Sequence, residues 1–180
     1  MNFDKCLVVF SHGMESSPAS TKIQVLSKIA EGRGAKTIAP DYTDSVELKV
    51  RLEMLREVLK NEDFESLILV GSSMGSLVSL IYSQTSDANI AGMFLMAPAV
   101  GIENIGFPEI NVKNVKILHG WRDEIIPANV VIEYSSKINA QLTLVDDMHR
   151  LKDSHEIMKA MFTLMLDELR LSDLHVKQNR

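Results

Sequence analysis

The sequence predicts an α/β fold, a three-layer αβα sandwich on a mostly parallel sheet of about six strands. Three observations predict it. Short apolar runs alternate with amphipathic stretches along all 180 residues. The clearest of those runs, such as Leu67-Ile68-Leu69-Val70, are continuously apolar and β-branched, the pattern of strands covered on both faces. Hydrophobic residues make up 46% and charged residues 24% of the chain, the balance of a globular protein. A chain of this length buries about 70% of the surface that its unfolded form exposes. Residues 1–180 read as one domain, without internal repeat, low-complexity segment or linker.

Taken in order, Leu7-Val8-Val9-Phe10 is the first buried strand, closed by Ser11-His12-Gly13. A helix follows, with Ser17 as N-cap and Pro18 in its first position, and Ile23, Leu26, Ile29 and Ala30 fall at helical spacing. Gly32 and Gly34 end it. Lys36 to Ala39 is a short strand stopped by Pro40. Asp44 and Glu47 have capping-box spacing before a helix whose face is Leu48, Leu52, Leu55 and Leu59. Leu67 to Val70 is the third strand and runs straight into Gly71. A helix from Met74 to Gln84, strands over Ile90–Met96 and Val115–His119, and a helix over Pro127–Ile138 come next. The sixth strand passes through Leu142, Leu144 and Val145. The last helix, His155 to Leu171, is expected to turn Ile157, Met161, Leu164 and Met165 inward, leaving residues 172–180 as a frayed polar tail.

Composition excludes several functions. Nineteen basic residues against twenty-four acidic ones give a net charge of −5, which argues against nucleic acid as a partner. The single cysteine, Cys6, permits neither an internal disulfide nor a multi-cysteine zinc site, and reads as an inert core thiol. No apolar run approaches the ~20 residues of a membrane span. The run Cys6 to Phe10 is too short for a signal-peptide core, so a cytoplasmic protein without a membrane partner is expected.

The chemistry is carried by Gly71-Ser72-Ser73-Met74-Gly75, which fits G-x-S-x-G with Ser73 as nucleophile. Composition alone produces such a pattern about once in twenty chains of this length, so its setting between a buried strand and a helix decides the matter. A tight strand-to-helix turn lifts the hydroxyl out of the sheet, and the flanking glycines let backbone pack against the turn. Ser72 is out of frame with the glycines. A serine nucleophile needs a base, and the base needs an acid to orient it. Of His12, His119, His149, His155 and His175, His149 follows the last strand at its carboxyl edge. His155 reads as a helix-start residue, His119 as a packed or supporting one, and His175 carries no signal. Asp123 lies on the loop after the fifth strand, between serine and histidine in chain order, with Glu124 as its neighbouring competitor. Asp146 and Asp147 stand too close to His149 to orient its ring easily and suit loop turning or N-terminal capping. Two N–H donors must hold the oxyanion, and Met74 and Met14 are the candidates. His12 could brace the Met14 loop, or be a satisfied structural histidine.

These segments resemble the α/β-hydrolase superfamily. The matching stretches are Phe10-Ser11-His12-Gly13, Gly71 to Gly75, Gly120-Trp121-Arg122-Asp123 with Pro127, and Asp147-Met148-His149. Ser11 to Pro18, with Pro40-Asp41-Tyr42, is similar to small bacterial hydrolases of this kind. The resemblance implies a minimal, cap-less hydrolase core, a Ser73-His149-Asp123 triad, and no cofactor or metal. Met148 departs from the pattern, because glycine often precedes the histidine there. Residues 97–114, where many relatives insert a lid, hold Pro98, Gly101, Gly106 and Pro108 and are too few for one, so an open site is expected.

The expected function is cleavage of a small-molecule carboxylic ester or thioester through an acyl-enzyme. Met14, Met74 and Met148, with Phe107 and Ile125 and the His12-Gly13 loop, form the candidate acyl pocket. A non-catalytic binding protein on the same fold is the alternative. Nucleotide binding is disfavoured, since neither G-x-G-x-x-G nor G-x-x-x-x-G-K-[ST] occurs.

Overall fold

The structure is a computed structural model that describes residues 1–102 and 105–178. Its strands are β1 (Cys6–Ser11), β2 (Lys36–Ile38), β3 (Ser66–Ser72), β4 (Ile90–Met96), β5 (Val115–Gly120) and β6 (Gln141–Val145). All pair in parallel in the order β2-β1-β3-β4-β5-β6. The helices are α1 (Thr21–Glu31), α2 (Leu48–Lys60), α3 (Met74–Thr85), α4 (Ala128–Lys137) and α5 (His155–Gln178). The chain starts mid-sheet, moves outward to β2, then returns past β1 to β3. Strand order therefore reverses between β1 and β3, with Ser11 opposite Gly71 at the carboxyl ends. Such a reversal is where doubly wound sheets open a crevice for ligands.

Period-two alternation splits the strands between two cores. Val8, Phe10, Ile68, Val70 and Phe94 face α1 and α5, packing on Leu26, Phe162 and Leu166. Leu7, Val9, Leu67, Leu69 and Leu95 face the opposite layer, against Leu55, Val78 and Tyr134. Phe162 sits between Phe10 and Phe94, with ring centroids 6.2 and 5.6 Å away. Burying a side chain of that kind stabilises by about 1.5–3 kcal/mol. Cys6 is buried, and burial pushes its thiol up to about 11, as an inert core residue requires.

Several element boundaries differ from the sequence reading. Helix α1 begins at Thr21, because Ser17-Pro18-Ala19-Ser20 closes a turn through a Ser20 N–H to Ser17 carbonyl bond of 3.1 Å. The proline's fixed φ suits position i+1 of a turn as well as the start of a helix. Helix α2 is preceded by Glu47 rather than a capping box, and the Ser45 hydroxyl accepts from the Glu47 amide at 3.1 Å. In α5 the inner face is Met158, Phe162, Met165, Leu166 and Leu169, whereas Ile157 and Leu164 are exposed. The helix also continues through Ser172 to Gln178, a stretch without glycine or proline to stop it. Residues 97–102 and 105–114 contain no helix or strand. No helix among the described residues is long and apolar enough to cross a membrane.

Candidate active site

Ser73 stands at the junction of β3 and α3 with φ 52° and ψ −119°. A non-glycine residue there stores on the order of 1–3 kcal/mol of strain and needs surroundings that enforce it. Its amide donates to the Met96 carbonyl at 2.9 Å, and its carbonyl accepts from Ser76 at 2.9 Å and Ala99 at 3.3 Å. The two motif glycines complete the enforcement. A Cβ on Gly71 would overlap Ser76, and one on Gly75 would overlap the Ser11 carbonyl at the end of β1. Neither obstacle is a flexible side chain. Gly75→Ala is therefore expected to push α3 away from β1 and cost several kcal/mol, on the scale of overpacking combined with lost backbone hydrogen bonds. Thermal unfolding checks this, and a Tm within two or three degrees of the parent would contradict it.

The ring of His149 bridges Ser73 to Asp123. Nε2 lies 2.8 Å from Ser73 Oγ, and Nδ1 lies 2.8 Å from Asp123 Oδ2. Asp123 is buried, and its other oxygen accepts from the Ile125 amide at 2.9 Å and the Ile126 amide at 2.8 Å. Burial pushes the Asp123 carboxyl up, but the bonds from His149, Ile126 and Ile125 outweigh it and leave it below the ordinary carboxylate value. A carboxylate so placed compels Nδ1 of His149 to carry the proton and leaves Nε2 free to accept one. Glu124, the competitor by sequence, is exposed and accepts from the His149 amide at 3.3 Å. Ser72 does not meet the ring and instead accepts from Lys22 Nζ at 3.3 Å.

His119 packs behind this pair. It is fully buried, its Nε2 lies 3.0 Å from the Ile126 carbonyl and 3.6 Å from Asp123 Oδ2, and among the described residues its Nδ1 has no hydrogen-bond partner. The Nε2 proton therefore goes to Ile126, and burial lowers the ring's pKa, keeping it neutral beside Asp123. His155 opens α5, and the side chain of His175 lies outside the described residues.

Asp147 shapes the loop that presents His149. It accepts from the Met148 amide at 2.7 Å, the Asp153 amide at 2.9 Å and Ser154 Oγ at 2.8 Å. Gly120 lets the loop approach, since a Cβ there would overlap the Asp147 carbonyl. The loop's positive φ falls at Leu151 (50°), so the methionine before the histidine is not forced into a glycine conformation. Asp146 is at the surface, paired with Arg122 at 2.7 Å. Burial pushes the Asp147 carboxyl up, yet hydrogen bonds from Ser154, Met148 and Asp153 hold it below its ordinary value. A carboxyl with a depressed folded pKa adds stability above its unfolded pKa of ~3.9, and that stability is lost as pH falls through the folded value. Asp147→Asn is expected to be less stable at pH 7 and to lose less on acidification below about pH 4. Thermal unfolding from pH 7 to pH 3 tests it, and two parallel stability curves would count against it.

The loop after β1 reaches the same spot. A Cβ on Gly13 would stand 3.4 Å from both Ser73 Cβ and the Ser72 carbonyl, so this turn lies against the elbow, with Met14 next in the chain. The amide of Met74, first in α3, has no intrahelical partner by position. His12 does not line an open pocket. Its buried ring holds the Gly13 carbonyl at 2.7 Å through Nδ1 and the Tyr42 amide at 2.9 Å through Nε2. Those bonds fix an Nδ1–H tautomer, and burial lowers the ring's pKa. Phe107 also leaves the candidate pocket. It stacks on Tyr134 of α4 with centroids 5.5 Å apart, beneath Lys137 Nζ at 4.3 Å. Met14, Ile125 and Met148 are each at least half exposed, as is Trp121 at 57%, and each lies within two residues in the chain of Gly13, Asp123 or His149.

Two supporting residues escaped the sequence reading. Arg51 of α2 is fully buried, donating to the carbonyls of Ser45 at 2.7 Å, His12 at 3.1 Å and Tyr42 at 3.4 Å. It ties α2 to the β1 loop. Its signal was its position three residues after Leu48 and four before Leu55, on the apolar face. Lys22 of α1 is the other. No group of three or more His, Cys, Asp or Glu among the described residues could hold a metal ion.

A family model described as the alpha/beta hydrolase fold matches residues 14–174. A solved structure from Xanthomonas campestris pv. campestris, described as a hydrolase of the alpha/beta superfamily, superposes with a TM-score of 0.82 at 29% identity, over 92% of this chain and 98% of that one. Est1E from Butyrivibrio proteoclasticus is similar at TM-score 0.76 and 18% identity, over 93% of this chain and 90% of that one. Mouse alpha/beta hydrolase domain-containing protein 10 gives 0.76 at 15%, over 91% and 90%. At those identities the last two share the fold alone. No curated protein matches the sequence.

Proposed function

Because the chain belongs to the α/β-hydrolase superfamily, we propose that it is a serine hydrolase cleaving small carboxylic esters or thioesters through a Ser73-His149-Asp123 triad. One observation carries the reading: a strained Ser73 whose Oγ lies 2.8 Å from a histidine nitrogen, with that ring's other nitrogen 2.8 Å from a buried aspartate. Ser73 Oγ bonds to the acyl carbon while its proton passes to His149 Nε2, and the carbonyl π electrons move onto oxygen. The Met14 and Met74 amides hold that oxyanion. Collapse breaks the bond to the leaving alcohol or thiol, which departs with the proton from Nε2. Water then attacks the acyl-enzyme by the same route, giving the acid and restoring Ser73.

The substrate class rests on four exposed side chains. Met14, Ile125, Met148 and Trp121, each within two residues in the chain of Gly13, Asp123 or His149, offer exposed soft apolar surface suited to an acyl group. The same reading takes residues 1–180 as one cap-less unit acting on a small molecule in the cytoplasm, without cofactor, nucleic acid or membrane partner. A fluorophosphonate probe and a series of p-nitrophenyl esters and acyl-CoA thioesters test it, with Ser73→Ala as control. Labelling and turnover that depend on Ser73 support it. An unlabelled parent, or equal labelling of the variant, would leave a non-catalytic binding protein instead.

A further inference from the structure

Lys22 occupies an unusual place for a lysine. It is the second residue of α1, whose first turn contains no acidic residue, so its charge sits at the unfavourable end of the helix dipole. Its ammonium is not free in water. Nζ donates to Ser72 Oγ at 3.3 Å and to the Arg150 carbonyl at 3.1 Å. Ser72 precedes the nucleophile and Arg150 follows the histidine, so one side chain joins segments 50 and 128 residues away in the chain. Burial lowers its pKa, the Asp147 carboxylate within the His149 loop works against that, and the nearby Arg150 charge adds to the lowering.

The geometry points to Lys22 as a positioning residue that clamps the elbow to the His149 loop and so sets the 2.8 Å contact between Ser73 Oγ and His149 Nε2. This rests on the serine-hydrolase reading above. The contact needs such a clamp because its two halves belong to different strands. Ser73 rides on β3 and α3, whereas His149 rides on a loop between β6 and α5, and β3 and β6 are separated in the sheet by β4 and β5. The Asp147 bonds give the loop its internal shape but do not tie it to the elbow. Arg150 and Glu15, paired at 2.5 Å, join it only to the β1 loop through two exposed side chains. Lys22 comes from a third element, α1, and holds both parts at once, and a lysine with three donors can do so without closing the mouth of the site.

In Lys22→Met, kcat for p-nitrophenyl butyrate and the fluorophosphonate labelling rate are expected to fall about 10- to 100-fold with KM nearly unchanged, as for a small misplacement of reacting groups. Lys22→Arg, which keeps the donors, is expected to recover most of the loss. Ser72→Ala removes one end of the clamp, so Lys22→Met/Ser72→Ala should be no slower than Lys22→Met alone. A parent-like Lys22→Met, multiplicative losses in the double variant, or equal losses in the Met and Arg variants would each overturn the clamp while leaving Ser73-dependent labelling of the parent intact. An unlabelled parent would overturn the serine-hydrolase reading and the clamp with it.

Discussion

Ser73→Ala is expected to lower kcat for ester hydrolysis by about 10^4- to 10^6-fold, with the fold intact. Alanine removes the atom that forms the bond and retains everything else. The Ser73 amide still donates to Met96, and the glycine contacts with Ser76 and Ser11 are untouched. Alanine carries the same Cβ at the same positive φ, so the strain stays as well. His149→Ala should fall to a similar floor, because without a base at 2.8 Å the hydroxyl is an ordinary alcohol. The two losses should not multiply, since serine and histidine act as one unit. The double variant is therefore expected to match the slower single variant in steady-state assays, with the proposed oxyanion donors, the Met14 and Met74 amides, supplying the residual rate. Either single variant within tenfold of the parent would defeat the assignment.

What was legible in the sequence follows from the range over which each signal acts. Ser73 was legible because its requirements are local: a buried strand, a tight turn and a helix within ten residues. His149 and Asp123 were legible because a parallel sheet delivers every strand end to one edge, so chain order and strand position sufficed. The phase of α5 was not. Ile157, Met161 and Leu164 make one apolar stripe and Met158, Phe162, Met165 and Leu169 make another, and only packing against Phe10 and Phe94 selects between them. Phe107 was misplaced for the same reason. Its proximity in sequence to the β4 strand end said nothing of the stack on Tyr134 that draws it to α4.

The supporting charges were hidden more deeply. Arg51, through the His12 carbonyl, and Lys22, through Ser72 Oγ and the Arg150 carbonyl, satisfy acceptors on distant segments, and no pattern around either residue names those acceptors. Both act on loops of the candidate site. Arg51 holds the turn beside Met14, through the His12 carbonyl and the Tyr42 ring at 5.4 Å, and Lys22 holds the histidine loop. A buried guanidinium satisfied by carbonyls costs desolvation free energy that plain packing would avoid, so its place beside a loop of the candidate site fits placement better than stability.

Asp123→Asn carries the second large expectation, a loss of about 10^4-fold in kcat without loss of structure. The reason lies in which oxygen does what. One carboxylate oxygen accepts from the Ile125 and Ile126 amides, and the other faces His149 Nδ1. In the asparagine variant the two backbone donors claim the amide oxygen, because an NH2 group cannot accept from them. The NH2 group is then turned toward Nδ1 and donates to it. That bond requires Nδ1 to be the unprotonated nitrogen, so Nε2 carries the hydrogen and points it at Ser73 Oγ. The ring then offers the nucleophile a donor where it needs an acceptor, with no atom displaced. His119 reinforces the orientation, since its Nε2 proton is spent on the Ile126 carbonyl and it stays neutral beside the site. Asp123→Asn should therefore keep the parent's circular dichroism and Tm to within a few degrees while kcat collapses. Retention of more than a tenth of the parent's kcat would show that Asp123 does not set the tautomer of His149.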